Sequence, residues 1–304
     1  MHAVPKHLPS TNANSTLRGR SAQEDPWWVR WGLISLSVLV LFVLVILPIS
    51  NVFYHAFSSG IGTYFKNLTD RETMHAIKLT LFVVPIAVLA NVIFGVAAAW
   101  VITRFRFPGR TLLTTIIDLP FAISPVVVGL MFVMLFANHG VFGGWLQANG
   151  LKILFNWPGI ALATTFVTLP FVARELIPVM EAIGADEEVA AISLGANGWQ
   201  MFWRVSLPNM KWGLLYGIIL CNARAMGEYG AVYVVSGRII NKTETLPIRV
   251  NTLFEGGSSE TYAASFAAAS LLTLLALVTL FIKIALERKT QTDLREAAKI
   301  HQIE

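Results

Sequence analysis

A chain of 304 residues in which 55% are hydrophobic and only 13% charged is not a soluble domain, which would carry roughly a quarter charged residues. The net charge of +5 is small, and Lys and Arg cluster at the ends of apolar segments, a sign of membrane topology rather than of nucleic-acid binding. The single cysteine, Cys221, excludes an internal disulfide, and the scattered histidines offer no metal-ligand spacing.

Residues 1–26 are polar, lack an apolar core and read as a flexible cytoplasmic tail. A membrane-spanning domain is expected over 27–286. Its first span, 33–54, is long enough to cross about 30 Å of hydrocarbon, with Trp27, Trp28 and Trp31 at its start where an interfacial aromatic belt lies. The second, 76–103, carries Gly95 and Ala99 at a small-xxx-small spacing that permits close helix contact. Arg104, Arg106 and Arg110 follow in a short loop. The third span, 112–136, is broken by Pro120 and Pro125, and the fourth, 158–180, contains Pro170 and Pro178; these four prolines are expected to bend core helices. A loop at 137–157 separates them. The fifth span is expected at 212–235, a polar loop at 237–262, the sixth span at 263–286, and a cytoplasmic tail at 287–304. With the N-terminus inside, the inner segments hold about 14 Lys and Arg against about six outside, so both termini and the stretch 187–209 are assigned to the cytoplasm.

That stretch, EEVAAISLGANGWQMFWRVSLPN, is polar and amphipathic between two apolar segments. Val189, Ile192 and Ala196 recur at steps of three and four and predict a short helix. Gly195 breaks it, Asn197 is placed to cap a second short helix, and Pro208 is expected to end that one. A helix, a sharp turn and a helix make a knob suited to a groove on a partner.

Ala190, Ala191, Gly195, Val205, Leu207 and Pro208 fall at the positions of the EAA loop of ABC-importer membrane subunits, and the stretch resembles that loop. It departs at the first position, where Val189 replaces the motif glutamate, with Glu188 one residue upstream. The resemblance implies that Glu188, Ala190, Ala191, Leu194, Gly195, Leu207 and Pro208 couple the permease to an ATPase, with Glu188 the candidate to replace the motif glutamate.

Ionisable residues inside spans cost roughly 2.5–3.5 kcal/mol each on insertion scales, so each needs a reason. Arg224 and Glu228 stand at i and i+4 on the fifth span, and Arg174 and Glu175 are adjacent on the fourth. Two readings of Arg224–Glu228 stand open. Arg224 faces the path and holds a passing oxyanion, or the two form a structural pair fixing helix register. Arg174 and Glu175 carry the same two alternatives, anion path or structural tie, but adjacent residues on a helix point in different directions, so each needs its own partner. Asp118 lies near the inner start of the third span.

Residues 222–231, NARAMGEYGA, are similar to the ARA-x-GE-aromatic-GA sequence of sulfate and molybdate permeases. Residues 118–130, DLPFAISPVVVGL, and 171–179, FVARELIPV, resemble the third and fourth spans of the same group. The likeness runs from about residue 47 to 286 and is nearest the CysW type of sulfate/thiosulfate permease subunit. It implies an all-α membrane protein, a type I ABC importer permease core of six transmembrane helices with a cytoplasmic coupling-helix loop, set as a multi-pass protein in a bacterial inner membrane. It further implies as partners the ABC ATPase subunits, a related second permease subunit, an extracytoplasmic sulfate/thiosulfate-binding protein and membrane lipids, with no nucleic acid. No Gly-x4-Gly-Lys-Ser/Thr occurs in the chain, so no cofactor of its own is expected and, if transport is ATP-driven, ATP is expected to be bound by a partner subunit. No catalytic or metal constellation is found, and the chain reads as a transport subunit rather than an enzyme. The alternatives are a molybdate/tungstate permease of the same kind and a secondary anion transporter, which would not need the 187–209 knob.

Overall fold

The computed structural model describes residues 27–300, with side chains through Ala285 and that of Arg288; the expected N-terminal tail, 1–26, lies outside the described residues. The first helix, α1 (Trp27–Ser58), contains a π turn at Phe42–Ile46. Its portion up to Asn51 forms a unit of its own, and a second compact unit begins at Val52.

In the second unit, α2 (Ile61–Thr69) leads into α3 (Arg71–Arg104). The Asp70 carboxylate caps α3 by accepting from the backbone N–H of Glu72 at 3.2 Å and of Thr73 at 3.4 Å. The chain continues through α4 (Arg110–Ala122), α5 (Pro125–Phe136), the short α6 (Gly143–Ala148) and α7 (Trp157–Ile183). Then come α8 (Asp186–Ser193), α9 (Gly198–Met201), a π turn (Phe202–Ser206), α10 (Leu207–Met226) and α11 (Gly230–Ser236). Two last helices, α12 (Leu246–Glu255) and α13 (Ser259–Ile300), complete the described chain. No strand occurs among the described residues.

The core is α3, α7 and α10 packed on one another around Val88, Val172, Leu176, Met180, Met210 and Cys221. Close approach is set by glycines. A Cβ on Gly95 would lie 2.7 Å from Val172 Cβ, and one on Gly217 would lie 3.2 Å from Val172 Cα. The small-xxx-small reading of Gly95 and Ala99 is therefore matched by a real helix contact. At the same level Asn91, fully buried, donates from Nδ2 to Thr168 Oγ1 at 2.7 Å and to Cys221 Sγ at 3.5 Å, so one side chain ties all three helices.

Among the described residues, four helices are long and apolar enough to cross a membrane: α1, α3, α7 and α13 through Ala285. The third expected span is broken at Pro125, as expected, but not at Pro120. It is α4 and α5, bent by 107° across Ile123–Ser124, because Pro125 drives Ser124 into an extended conformation at φ −58°, ψ 133°. The other three named prolines, Pro120, Pro170 and Pro178, stay inside continuous helices. The fifth expected span is also two pieces, α10 and α11, separated at Gly227–Tyr229. The two breaks abut, since a Cβ on Gly230 would meet Pro125 Cβ at 2.9 Å and one on Gly129 would meet the Ala231 carbonyl at 2.8 Å.

Three further expectations are corrected. Pro208 does not end a helix: the preceding π turn closes with Leu207 N–H on the Phe202 carbonyl, and this wider turn absorbs the proline so that the chain runs on into α10. The helix of the sixth span does not stop at 286, because its backbone continues to Ile300. The loop at 237–262 is not simply polar, because α12 buries Leu246, Ile248 and Leu253. Its Arg249, with a side chain 7% exposed, reaches Glu72 at 2.7 Å, Asp70 at 3.5 Å and the buried Glu244 at 3.5 Å. Leu246 N–H donates to Thr80 Oγ1 at 2.8 Å and fixes α12 against α3.

Removing Arg249 strands Glu244 as a buried charge, and breaking such a pair costs about 3–5 kcal/mol. Arg249→Ala therefore lowers the thermal unfolding temperature of the detergent-solubilised protein sharply. Adding Glu244→Gln recovers most of the loss, whereas Asp70→Asn, on an exposed carboxylate, changes it little.

Candidate functional site: an exposed knob and paired charges within the spans

The knob at 187–209 is built from local signals. Three acidic residues, Asp186, Glu187 and Glu188, open α8, where the helix dipole favours negative charge. The helix ends in a Schellman motif: Ala196 N–H reaches the Ala191 carbonyl at 3.0 Å and Gly195 N–H reaches that of Ile192 at 2.9 Å. Gly195 takes φ +91° there, a conformation that glycine adopts without strain. Asn197 then caps α9, accepting from Gln200 N–H at 2.8 Å, while Gln200 Oε1 accepts from Asn197 N–H at 3.1 Å.

The apolar residues of α8 and the turn point outward. Leu194 is 90% exposed, Trp199 71%, Val189 59% and Ile192 53%. Ala190 is exposed beside them, and Ala191 is half-buried. Leu207 packs partly against the three-helix core and Pro208 is exposed. An exposed apolar tip on a turn fixed by two capping motifs is a surface suited to a second protein.

Glu188 faces the other way. It is buried and forms a bidentate pair with Arg104, Oε2 to Nε at 2.7 Å and Oε1 to Nη2 at 2.9 Å. The same guanidinium donates to the carbonyls of Met180 at 3.1 Å and Gly184 at 2.7 Å. The sequence reading offered Glu188 as a stand-in for the motif glutamate of the loop. Its ion pair is an internal one. Arg104 is the residue that the reading missed: 84 positions away, it was one of three loop arginines with nothing to single it out. Glu187 accepts from Asn209 Nδ2, joining the two ends of the knob.

The intramembrane charges resolve into separate pairs. Arg174 Nε meets Asp118 at 2.9 Å and its guanidinium lies over the Phe121 ring, 5.1 Å from the centroid. Glu175 is not its partner and instead lies in the field of Lys283 on α13. Arg224 Nη1 meets Glu228 Oε2 at 2.7 Å. Glu228, with a side chain 1% exposed, also accepts from Ala231 N–H through Oε1 at 3.0 Å. One carboxylate thus holds the arginine of α10 and caps the start of α11 across the break. Arg224 keeps 34% of its side chain exposed, and among the described residues its guanidinium has this one ion pair and no side-chain hydrogen bond besides.

Residues 91–292 match the family described as the binding-protein-dependent transport system inner membrane component. The chain is 48% identical over 270 residues to the sulfate transport system permease protein CysW of Escherichia coli (strain K12), covering 89% of this chain and 92% of that protein. Against CysW of Synechococcus elongatus the identity is 52% over 258 residues, covering 85% and 89%. A sulfate transport system permease protein CysT of Escherichia coli (strain K12) is 38% identical over 252 residues, covering 81% and 91%. A bacterial ABC transporter involved in the import of the acidic polysaccharide alginate shares the fold, with a TM-score of 0.71 at 18% identity, covering 86% of this chain and 96% of that one.

A Cβ on Gly195 meets nothing within 4 Å, so substitutions there cost conformational strain alone. Gly195→Val, β-branched at a positive φ, loosens the turn and raises its rate of limited proteolysis in the solubilised protein. Gly195→Asn, which tolerates the left-handed region, raises it much less.

Proposed function

The chain belongs to the binding-protein-dependent transport system inner membrane components, and we propose that it forms the anion path of an ATP-driven sulfate/thiosulfate importer and couples that path to a separate ATPase. It is a multi-pass membrane permease subunit of the CysW type. Sulfate as substrate is supported by the likeness over nearly the whole chain to permeases named for it. The observation that carries the coupling role is the knob, whose Leu194 and Trp199 stand out from the body while its turn is fixed on both sides.

On this reading the knob faces the cytoplasm, as the Lys and Arg distribution supports, and seats in a groove of an ABC ATPase. ATP binding closes the ATPase pair and displaces the knob as a rigid body. Alternating access then follows from movement of packed helices, with a related second permease subunit completing the path and an extracytoplasmic binding protein delivering the anion. Arg224 and Glu228 take both roles left open by the sequence. Glu228 is structural, because it caps α11. Arg224, held by one carboxylate and otherwise exposed, presents its remaining donors to a passing oxyanion.

Three outcomes test this. Leu194→Asp with Trp199→Asp leaves insertion intact and abolishes copurification of the ATPase together with labelled sulfate uptake, each side chain counting as an interface anchor of about 2 kcal/mol or more. Unchanged copurification overturns the docking role. Arg224→Gln keeps the assembled complex and lowers sulfate uptake about ten-fold or more, the loss of a charge-assisted contact, while Arg224→Lys retains part of it. Competition of the uptake by excess thiosulfate but not molybdate supports the substrate; competition by molybdate alone reassigns it.

A further inference from the structure

Gly184 joins α7 to the knob. It has φ +75°, and a Cβ built on it meets nothing within 4 Å. By backbone alone this joint is open to rotation, since glycine crosses between conformations that other residues avoid. A lever on such a joint swings without moving the body behind it.

Arg104 closes the joint. Its guanidinium stands at the end of the 34-residue α3, with a side chain only 12% exposed. It donates to the Met180 carbonyl before the joint, to the Gly184 carbonyl at the joint and to Glu188 beyond it. A planar guanidinium reaches these acceptors in fixed directions, which a lysine ammonium does not. The C-terminal end of α7 is where a cation is favoured by the helix dipole. Glu188 lies on the buried side of α8 while Val189 and Ile192 lie on its exposed side, so a body seated on the tip pushes through one helix thickness onto Arg104. From there α3 runs into the core, held to α7 by the Gly95–Val172 contact and the Asn91–Thr168 hydrogen bond.

We propose that Arg104 is a positioning residue for transport: it locks the Gly184 joint so that α8 and the end of α3 move as one body, delivering knob motion to the second span as well as to the fourth and fifth. The proposal rests on the reading of the knob as the ATPase-docking element.

The test uses the assembled importer in lipid nanodiscs, with spin labels on Arg106→Cys and Ser193→Cys in a Cys221→Ala background. With Arg104 present, the label distance is narrow and the same in the nucleotide-free and ATP-trapped states. With Arg104→Gln it broadens and differs between states by about 5 Å, on the order of one helical turn, and sulfate moved per ATP hydrolysed falls about ten-fold or more while the ATPase still copurifies. Arg104→Lys does not restore the narrow distance. Glu188→Gln, which leaves both carbonyl contacts in place, gives an intermediate broadening and serves where Arg104→Gln fails to assemble. A narrow, state-independent distance in Arg104→Gln, or in Glu188→Gln where that one fails, overturns the proposal. So does full transport per ATP in either. Failure of the unmodified chain to copurify with an ATPase overturns the docking reading instead, and the nucleotide-free distance still reports the lock.

Discussion

A hydrocarbon solvent accepts no hydrogen bonds, and this one constraint accounts for most of what is polar in the described helices. Some buried polar side chains, such as Thr279, bond back within their own helix, but four tie separate elements together. Asn91 joins α3 to α7 and α10. Glu228 joins α10 to α11. Arg249 joins the start of α3 to the segment leading into α12, and Arg104 joins α3, α7 and α8. Apolar packing in a membrane gives little preference for one helix neighbour over another, because lipid tails are as apolar as leucine. Close approach at Gly95 and Gly217 therefore sets how near the core helices come, and the polar ties set their register.

The knob obeys the opposite rule. Its apolar residues are exposed and its carboxylates are tied inward, Glu188 to Arg104 and Glu187 to Asn209. An isolated eight-residue helix is marginal in water, so α8 depends on its caps and on the Arg104 pair rather than on its own propensity. Stiffness at both ends of the turn, with a bare hydrophobic tip between them, is what a part that transmits displacement requires. A softer loop would absorb it.

The sequence was legible wherever the signal is local. Gly195, Asn197 and the pairing of Arg224 with Glu228 each announce themselves within a few residues, and the turn, the cap and the ion pair are all present. The family and its all-helical membrane fold were equally open to reading from the motifs. What escaped was decided at long range. Arg104 and Glu188 are 84 residues apart and Arg174 and Asp118 are 56 apart, so no periodicity links them. Arg249 and Glu244 made 237–262 look like a solvated loop, although each is neutralised inside the protein. The prolines show the same limit: Pro125 breaks its span while Pro170 and Pro178 do not, and the place where the chain breaks is one where it turns against Gly230, a residue far along the chain.

That last contact bears on the anion path. Non-helical backbone at membrane depth is tolerated only where it is buried in protein or faces water. Two interruptions, Ile123–Ser124 and Gly227–Tyr229, meet at Pro125 and Gly230, and the second is capped by Glu228 rather than by solvent. Interrupting two helices side by side serves no packing purpose that two straight helices would not serve better. It does leave Arg224, one turn before its break, paired with a single carboxylate and with a third of its side chain exposed. On the proposed reading the breaks are the price of setting one cation at the edge of the path, and Glu228 holds it in place at 2.7 Å without covering it.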